Sequence, residues 1–155
     1  TSQLIANDAL NLSLLISDNL QNENDTAALK KYSSADLLIF KNQPEKALAI
    51  LDSMNILYPG NSLTDDILMA KSEIFLKRND VNQAVAQLQT IIENYSTDLW
   101  GDDAIFTLAD LYETKLNQPG KALELYQRII TDFPGSLYVI EARKRFRQLR
   151  GDKLG

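Results

Sequence analysis

Cysteine and histidine are both absent from this chain of 155 residues. Their absence excludes a disulfide framework, a Cys/His zinc site, a thiol nucleophile and a Ser-His-Asp triad, each of which needs a side chain that is missing. Glycine and proline are scarce, at six and four residues, and the apolar content is too high for a disordered chain. No run approaches the ~18 consecutive apolar residues of a membrane-spanning helix. What remains is 45% apolar and 24% charged residues, sufficient for one domain with a packed core. The first residues, Thr1-Ser2-Gln3, carry neither Met nor a charged-then-apolar leader. That is expected of a processed or excised piece of a longer protein.

Charge is unevenly placed. The formal net charge is −5, yet Arg143, Lys144, Arg145, Arg147, Arg150 and Lys153 all crowd the C-terminal end, against Asp152 alone. Residues 1–142 hold 10 basic and 20 acidic residues, a net of −10. A body this acidic repels nucleic acid phosphates and anionic lipid, so nucleic acid is not an expected partner.

Small residues and turns recur along the chain with one shared period. Ala47, Ala84 and Ala122 are spaced 37 and 38 apart, and Ala35, Ser72 and Ala109 are spaced 37 and 37. The turns Tyr58-Pro59-Gly60-Asn61, Tyr95-Ser96-Thr97-Asp98 and Phe133-Pro134-Gly135-Ser136 step by 37 and 38. Three markers sharing one period define a structural repeat. Within each unit the apolar residues recur at helical steps, as in Leu48, Leu51, Met54 and Leu57, or Leu123, Tyr126, Ile129 and Ile130. Pro44 and Pro119 suit a first helical turn, where the missing N–H costs nothing. Asn61, Asp98 and Ser136 are expected N-caps. Each unit therefore reads as two antiparallel helices, and the fold class as all-α. The small residues mark where helix axes approach to ~8–10 Å. One pair cannot bury its own apolar face, so successive pairs must stack.

This pattern resembles the tetratricopeptide repeat family over most of residues 28–136. The family's small first-helix residue matches Ala35, Ser72 and Ala109, and its second-helix alanine matches Ala47, Ala84 and Ala122. Its aromatic one turn later matches Phe75 and Tyr112, with Leu38 in the first unit, and its terminal proline matches Pro59 and Pro134, with Ser96 departing. Its turn glycine is replaced by Asn42, Asn79 and Asn117, a tolerable exchange because Asn adopts left-handed φ. The long Tyr-Pro-Gly and Phe-Pro-Gly-Ser turns are similar to those of bacterial cell-envelope members, including outer-membrane assembly lipoproteins. The C-terminal stretch is similar to the ends of large Bacteroidetes tetratricopeptide proteins.

The resemblance implies a right-handed α-α superhelix of about eight helices. Residues 3–21 would be the second helix of a truncated preceding repeat, 25–61, 62–98 and 99–136 three repeats, and 137–150 a closing helix. In that helix Tyr138, Val139, Ala142, Phe146 and Leu149 point inward by helical spacing, leaving the basic residues to solvent. The resemblance also implies a non-catalytic protein-interaction scaffold, located by the same likeness in the periplasm or at the outer membrane. No catalytic residue, metal or cofactor is expected. The alternative is a structural spacer or docking segment of a larger envelope protein.

In the family the first helices line a peptide-binding face. Carrying those positions over gives Tyr32, Asp36, Ile39 and Phe40 from the first unit, then Asp66, Met69, Glu73 and Lys77, then Asp103, Phe106, Asp110 and Glu113. Two rows recur, Tyr32/Met69/Phe106 and Asp36/Glu73/Asp110. Members that clamp a C-terminal carboxylate carry cations at such places, whereas this row is acidic and points to a basic or amphipathic peptide. The competing reading has one row packed against a neighbouring helix and the acidic row simply solvated.

Other short patterns favour structural roles. Asp65-Asp66 and Asp102-Asp103 fall at first-helix starts, where carboxylates stabilise the positive helix end. Adjacent helical residues diverge by about 100° and do not converge on one ion. The equivalents of Trp100 are Leu63 and Tyr138, which reads as packing between units. The basic run Arg143–Arg150 reads as a solvated cap, with a protein contact as the alternative. The tripeptide Arg150-Gly151-Asp152 and the sequons at Asn11, Asn24 and Asn94 are too short to carry weight.

Overall fold

The computed structural model describes residues 23–152. The leading helix expected over residues 3–21 and the sequon at Asn11 lie outside the described residues. Seven helices occur among them, with no strand. They are α1 Glu23–Phe40, α2 Pro44–Leu57, α3 Thr64–Lys77, α4 Val81–Asn94, α5 Gly101–Thr114, α6 Pro119–Asp132 and α7 Val139–Arg150. The chain divides into two compact units, and the division falls within α3 between Ile67 and Leu68.

Local chemistry explains where these helices start and stop. Pro44 and Pro119 open α2 and α6, as expected. Asn42, Asn79 and Asn117 adopt φ of 56°, 58° and 49°, the left-handed conformation expected of them. After α1, the Gln43 N–H donates to Leu38 O at 2.8 Å and the Asn42 N–H to Ile39 O at 2.9 Å. This paired closure is a Schellman motif, which satisfies carbonyls at the helix end. Asp80 and Asn79 repeat it on Phe75 and Leu76 at 2.8 and 2.9 Å. The third turn is one residue longer, so Gln118 N–H reaches back to Tyr112 O at 2.8 Å.

The N-caps require a correction. The N-caps of α5 and α7 are Trp100 and Tyr138, without a side-chain capping bond. Asn61 and Ser136 act earlier, accepting from Leu63 N–H at 2.9 Å and Tyr138 N–H at 3.1 Å. Asp98 uses its backbone carbonyl, which accepts from Gly101 N–H at 3.1 Å. A further turn is thus inserted between each of these residues and its helix. Asp80 does form a side-chain cap, accepting from Gln83 N–H at 3.3 Å.

In the first unit α1 packs on α2. Ala28, Ala35, Ala47, Met54 and Leu63 are fully buried there, with Leu51 and Ile67 nearly so. Asp25, also buried, accepts from Ser62 N–H at 3.3 Å and ties the start of α1 to the turn before α3. In the second unit α5 packs on α4 and α6, and α7 packs on α6. One apolar core runs through it, containing Leu88, Ile91, Ile105, Leu108, Tyr126, Ile129, Val139 and Ala142. Burying each large aliphatic there contributes about 1.5–3 kcal/mol.

The seam residues are where the repeat places them. Ala35, Ala47, Ala84, Ala109, Ala122 and Ser72 all have 0% exposure. Ser72 keeps its hydroxyl satisfied by donating to Met69 O at 2.7 Å, so the polar substitution costs little. Trp100 packs against the second-unit core, and Leu63 is buried. In α7, Val139 and Ala142 are buried, and Tyr138, Phe146 and Leu149 pack on the core.

Candidate interaction surface

In the first unit, Tyr32 is buried, Asp36 and Ile39 are half-buried, and Phe40 is 66% exposed. Asp66 is buried at the first turn of α3. In the second unit, Met69 is buried, whereas Glu73 and Lys77 are exposed on α3. Two members of the Tyr32/Met69/Phe106 row are therefore packing residues. The third, Phe106, is half-buried and covered by aromatic neighbours. Its ring stacks on Tyr138 at 4.5 Å and meets Tyr126 edge-on at 5.8 Å.

Asp103, Asp110 and Glu113 of α5 are drawn into one network with α6 and α7. Tyr138 Oη donates to Asp103 Oδ1 at 2.5 Å. Tyr126 Oη donates to Glu113 Oε2 at 2.7 Å. Arg145 Nη1 donates to Glu113 Oε2 at 3.0 Å and approaches Asp110 Oδ1 at 3.5 Å, while its Nε donates to Glu141 Oε1 at 2.9 Å. One guanidinium thus meets three carboxylates, using the fork of donors that suits Arg better than Lys.

The electrostatics follow from burial and these bonds. Burial raises the Asp103 carboxyl above its usual range, and the Tyr138 hydrogen bond opposes that rise. Burial likewise raises the phenols of Tyr126 and Tyr138, reinforced by the carboxylates that accept from them. The Arg145 guanidinium lowers Glu141, and Glu141 in turn raises Arg145.

Arg145 corrects the expectation that every basic residue of the last helix faces solvent. It turns towards α5, while Arg143, Lys144 and Arg147 are exposed. Arg150 pairs with Asp152, and Gly151 adopts φ of 86° to end the helix. The tripeptide of the sequence is thus a helix terminus closed on itself. Arg145, Tyr126 and Tyr138 are not among the site residues that sequence reasoning selects. A signal exists: Tyr138 lies 35 residues after Asp103, and Arg145 lies 35 after Asp110. That is slightly less than one repeat, and it brings both side chains onto α5.

Among the described residues, no group of three or more Asp or Glu side chains is arranged to hold a metal ion. No helix among them is long and apolar enough to cross a membrane.

No curated protein sequence matches the chain closely enough to serve as a relative. The family model for the tetratricopeptide repeat matches residues 66–98 and 103–136. These segments take in α4 and α6 whole and all but the first two residues of α3 and α5, and they leave residues 99–102 between them. Seams of buried small residues, helical pairs closed by left-handed turns and the family match agree: these two segments are similar to tetratricopeptide repeats, non-catalytic modules that generally mediate protein–protein interactions.

Proposed function

We propose that the chain is a non-catalytic protein-interaction scaffold whose first helices present carboxylates to a basic or amphipathic segment of a partner. The observation that carries this reading is Arg145, seated against Asp110 and Glu113 of α5. It supports a preference for guanidinium at this row, because a half-buried carboxylate pair gains most from a charged, bidentate donor. Asp36 of α1 and Glu73 of α3 hold the equivalent positions in the other repeats. The buried Tyr32 and Met69 contribute packing rather than contact, so charge is the recognition element.

A second reading is a spacer or docking segment within a larger envelope protein. It is favoured by the same burial of Tyr32 and Met69 and by the long Tyr-Pro-Gly and Phe-Pro-Gly-Ser turns. The two readings separate on one titration. An Arg-rich amphipathic peptide is expected to bind the wild-type chain, and Asp36→Lys/Glu73→Lys/Asp110→Lys is expected to weaken it at least about tenfold, as replacing up to three partly exposed attractions by repulsions implies. Retained helical circular dichroism would show that the variant still folds. Equal affinity in the triple variant would remove the scaffold reading and leave the spacer.

A further inference from the structure

The closing helix α7 occupies a first-helix position, and one repeat step places Arg143 and Arg147 where α5 has Ile105 and Ala109. Ile105 and Ala109 have 0% exposure in the core that α5 shares with its neighbours. Their counterparts in α7 are cationic and exposed. Ile140, Arg143, Lys144 and Arg147 fall at helical steps of three and four, so they share one face. Ile140 is 80% exposed, and Leu137, one turn earlier, is 96% exposed.

The cations of this helix fall into two groups. Arg145 is committed to Glu141, Asp110 and Glu113, and Arg150 to Asp152. Arg143, Lys144 and Arg147 make no ion pair among the described residues. Glu141, the acid nearest them on the helix, is already bonded to Arg145. A cap that served only solubility would gain nothing from two aliphatic side chains standing in water beside three exposed cations that form no direct ion pair.

We propose that this face docks an acidic amphipathic helix of a partner protein. Its aliphatic side chains cover Leu137 and Ile140, and its carboxylates lie opposite Arg143, Lys144 and Arg147. Charge complementarity selects the acidic partner, and the equivalence with Ile105 and Ala109 supplies the geometry. At those positions a first helix is normally covered by another helix, and here the covering element must bring negative charge. The face is distinct from the acidic row of the first helices and attracts the opposite kind of ligand.

The test is an anisotropy titration of the full chain with a labelled synthetic amphipathic peptide of Leu and Glu, run beside the same peptide with Lys for Glu. Saturable binding of the acidic peptide alone is expected. Arg143→Glu/Lys144→Glu/Arg147→Glu should weaken it at least about tenfold, as for three ion pairs at the rim of an interface. Ile140→Asp should weaken it separately, with circular dichroism unchanged in both variants. Glu73→Lys should leave it unaltered, which separates this surface from the acidic row. Absence of saturable binding, equal affinity after the charge reversal, or preference for phosphatidylserine vesicles over the peptide would overturn the proposal.

Discussion

Exchange of Gly101 for alanine is expected to destabilise the chain by about 3 kcal/mol, the upper range for forcing extra volume into a packed site. A Cβ on Gly101 would overlap Ser96 O and lie 2.7 Å from the Ser96 carbonyl carbon. Both are backbone atoms, so no side-chain rotation relieves the clash. The close approach arises because the chain doubles back between α4 and α5. Asp98 N–H donates to Tyr95 O at 3.0 Å and Gly101 N–H donates to Asp98 O at 3.1 Å, folding Ser96 beneath the start of the helix. Helix propensity alone gives the opposite sign, since alanine is favoured over glycine by about 1 kcal/mol in a helix interior. Urea denaturation decides between them. A midpoint that rises in Gly101→Ala would show that the tight turn does not exist in solution.

Ala122→Leu is expected to cost a similar amount, about 2–3 kcal/mol. Ala122 has 0% exposure in the core where α6 meets α5, beside Leu108, Tyr126 and Ile129. A leucine there must either leave its rotamer minimum or push the helix axes apart. The register of the repeat supplies a control. Arg147 stands one repeat after Ala109 yet is exposed at the end of the series. Arg147→Leu should therefore change stability by no more than about 0.5 kcal/mol, as a surface substitution away from special features does. Equal midpoints for Ala122→Leu and the wild type in the same denaturation series would refute the close-packed seam.

The helical pairs are legible in the sequence because the small residues recur in a fixed register and their reason is steric. Ala47, Ala84 and Ala122 are buried as that argument requires, and Asn42, Asn79 and Asn117 adopt the left-handed conformation that stands in for glycine. Gly101 is not legible in this way. Its repeat equivalents are Thr64 and Val139, so alignment of the units reads the position as tolerant, while the fold uses it for one turn only. The caps expected at Asn61, Asp98 and Ser136 fail for a related reason. Each is a good capping residue, but an added turn separates it from its helix, and composition does not reveal that insertion.

Arg145 illustrates the limit at the site itself. Helical spacing assigns a residue to a face of its own helix, and that argument sends all the basic residues of α7 to solvent. The carboxylates that draw Arg145 back lie on α5, 32 and 35 residues earlier. Only the stacking of one repeat on the next brings them within reach. The buried Tyr32 and Met69 show the same limit from the other side: the face that the resemblance assigns to ligand is, at those positions, filled by the protein's own packing.

The most direct test of the interaction reading is the affinity of the Arg-rich amphipathic peptide for Arg145→Ala, measured beside the wild type with folding checked by circular dichroism. Removing the guanidinium uncovers Asp110 and Glu113 while Tyr126 still bonds Glu113, and the peptide should bind about fivefold more tightly, the worth of one partly exposed ion pair. Unchanged or weaker binding by a folded Arg145→Ala chain would contradict the account.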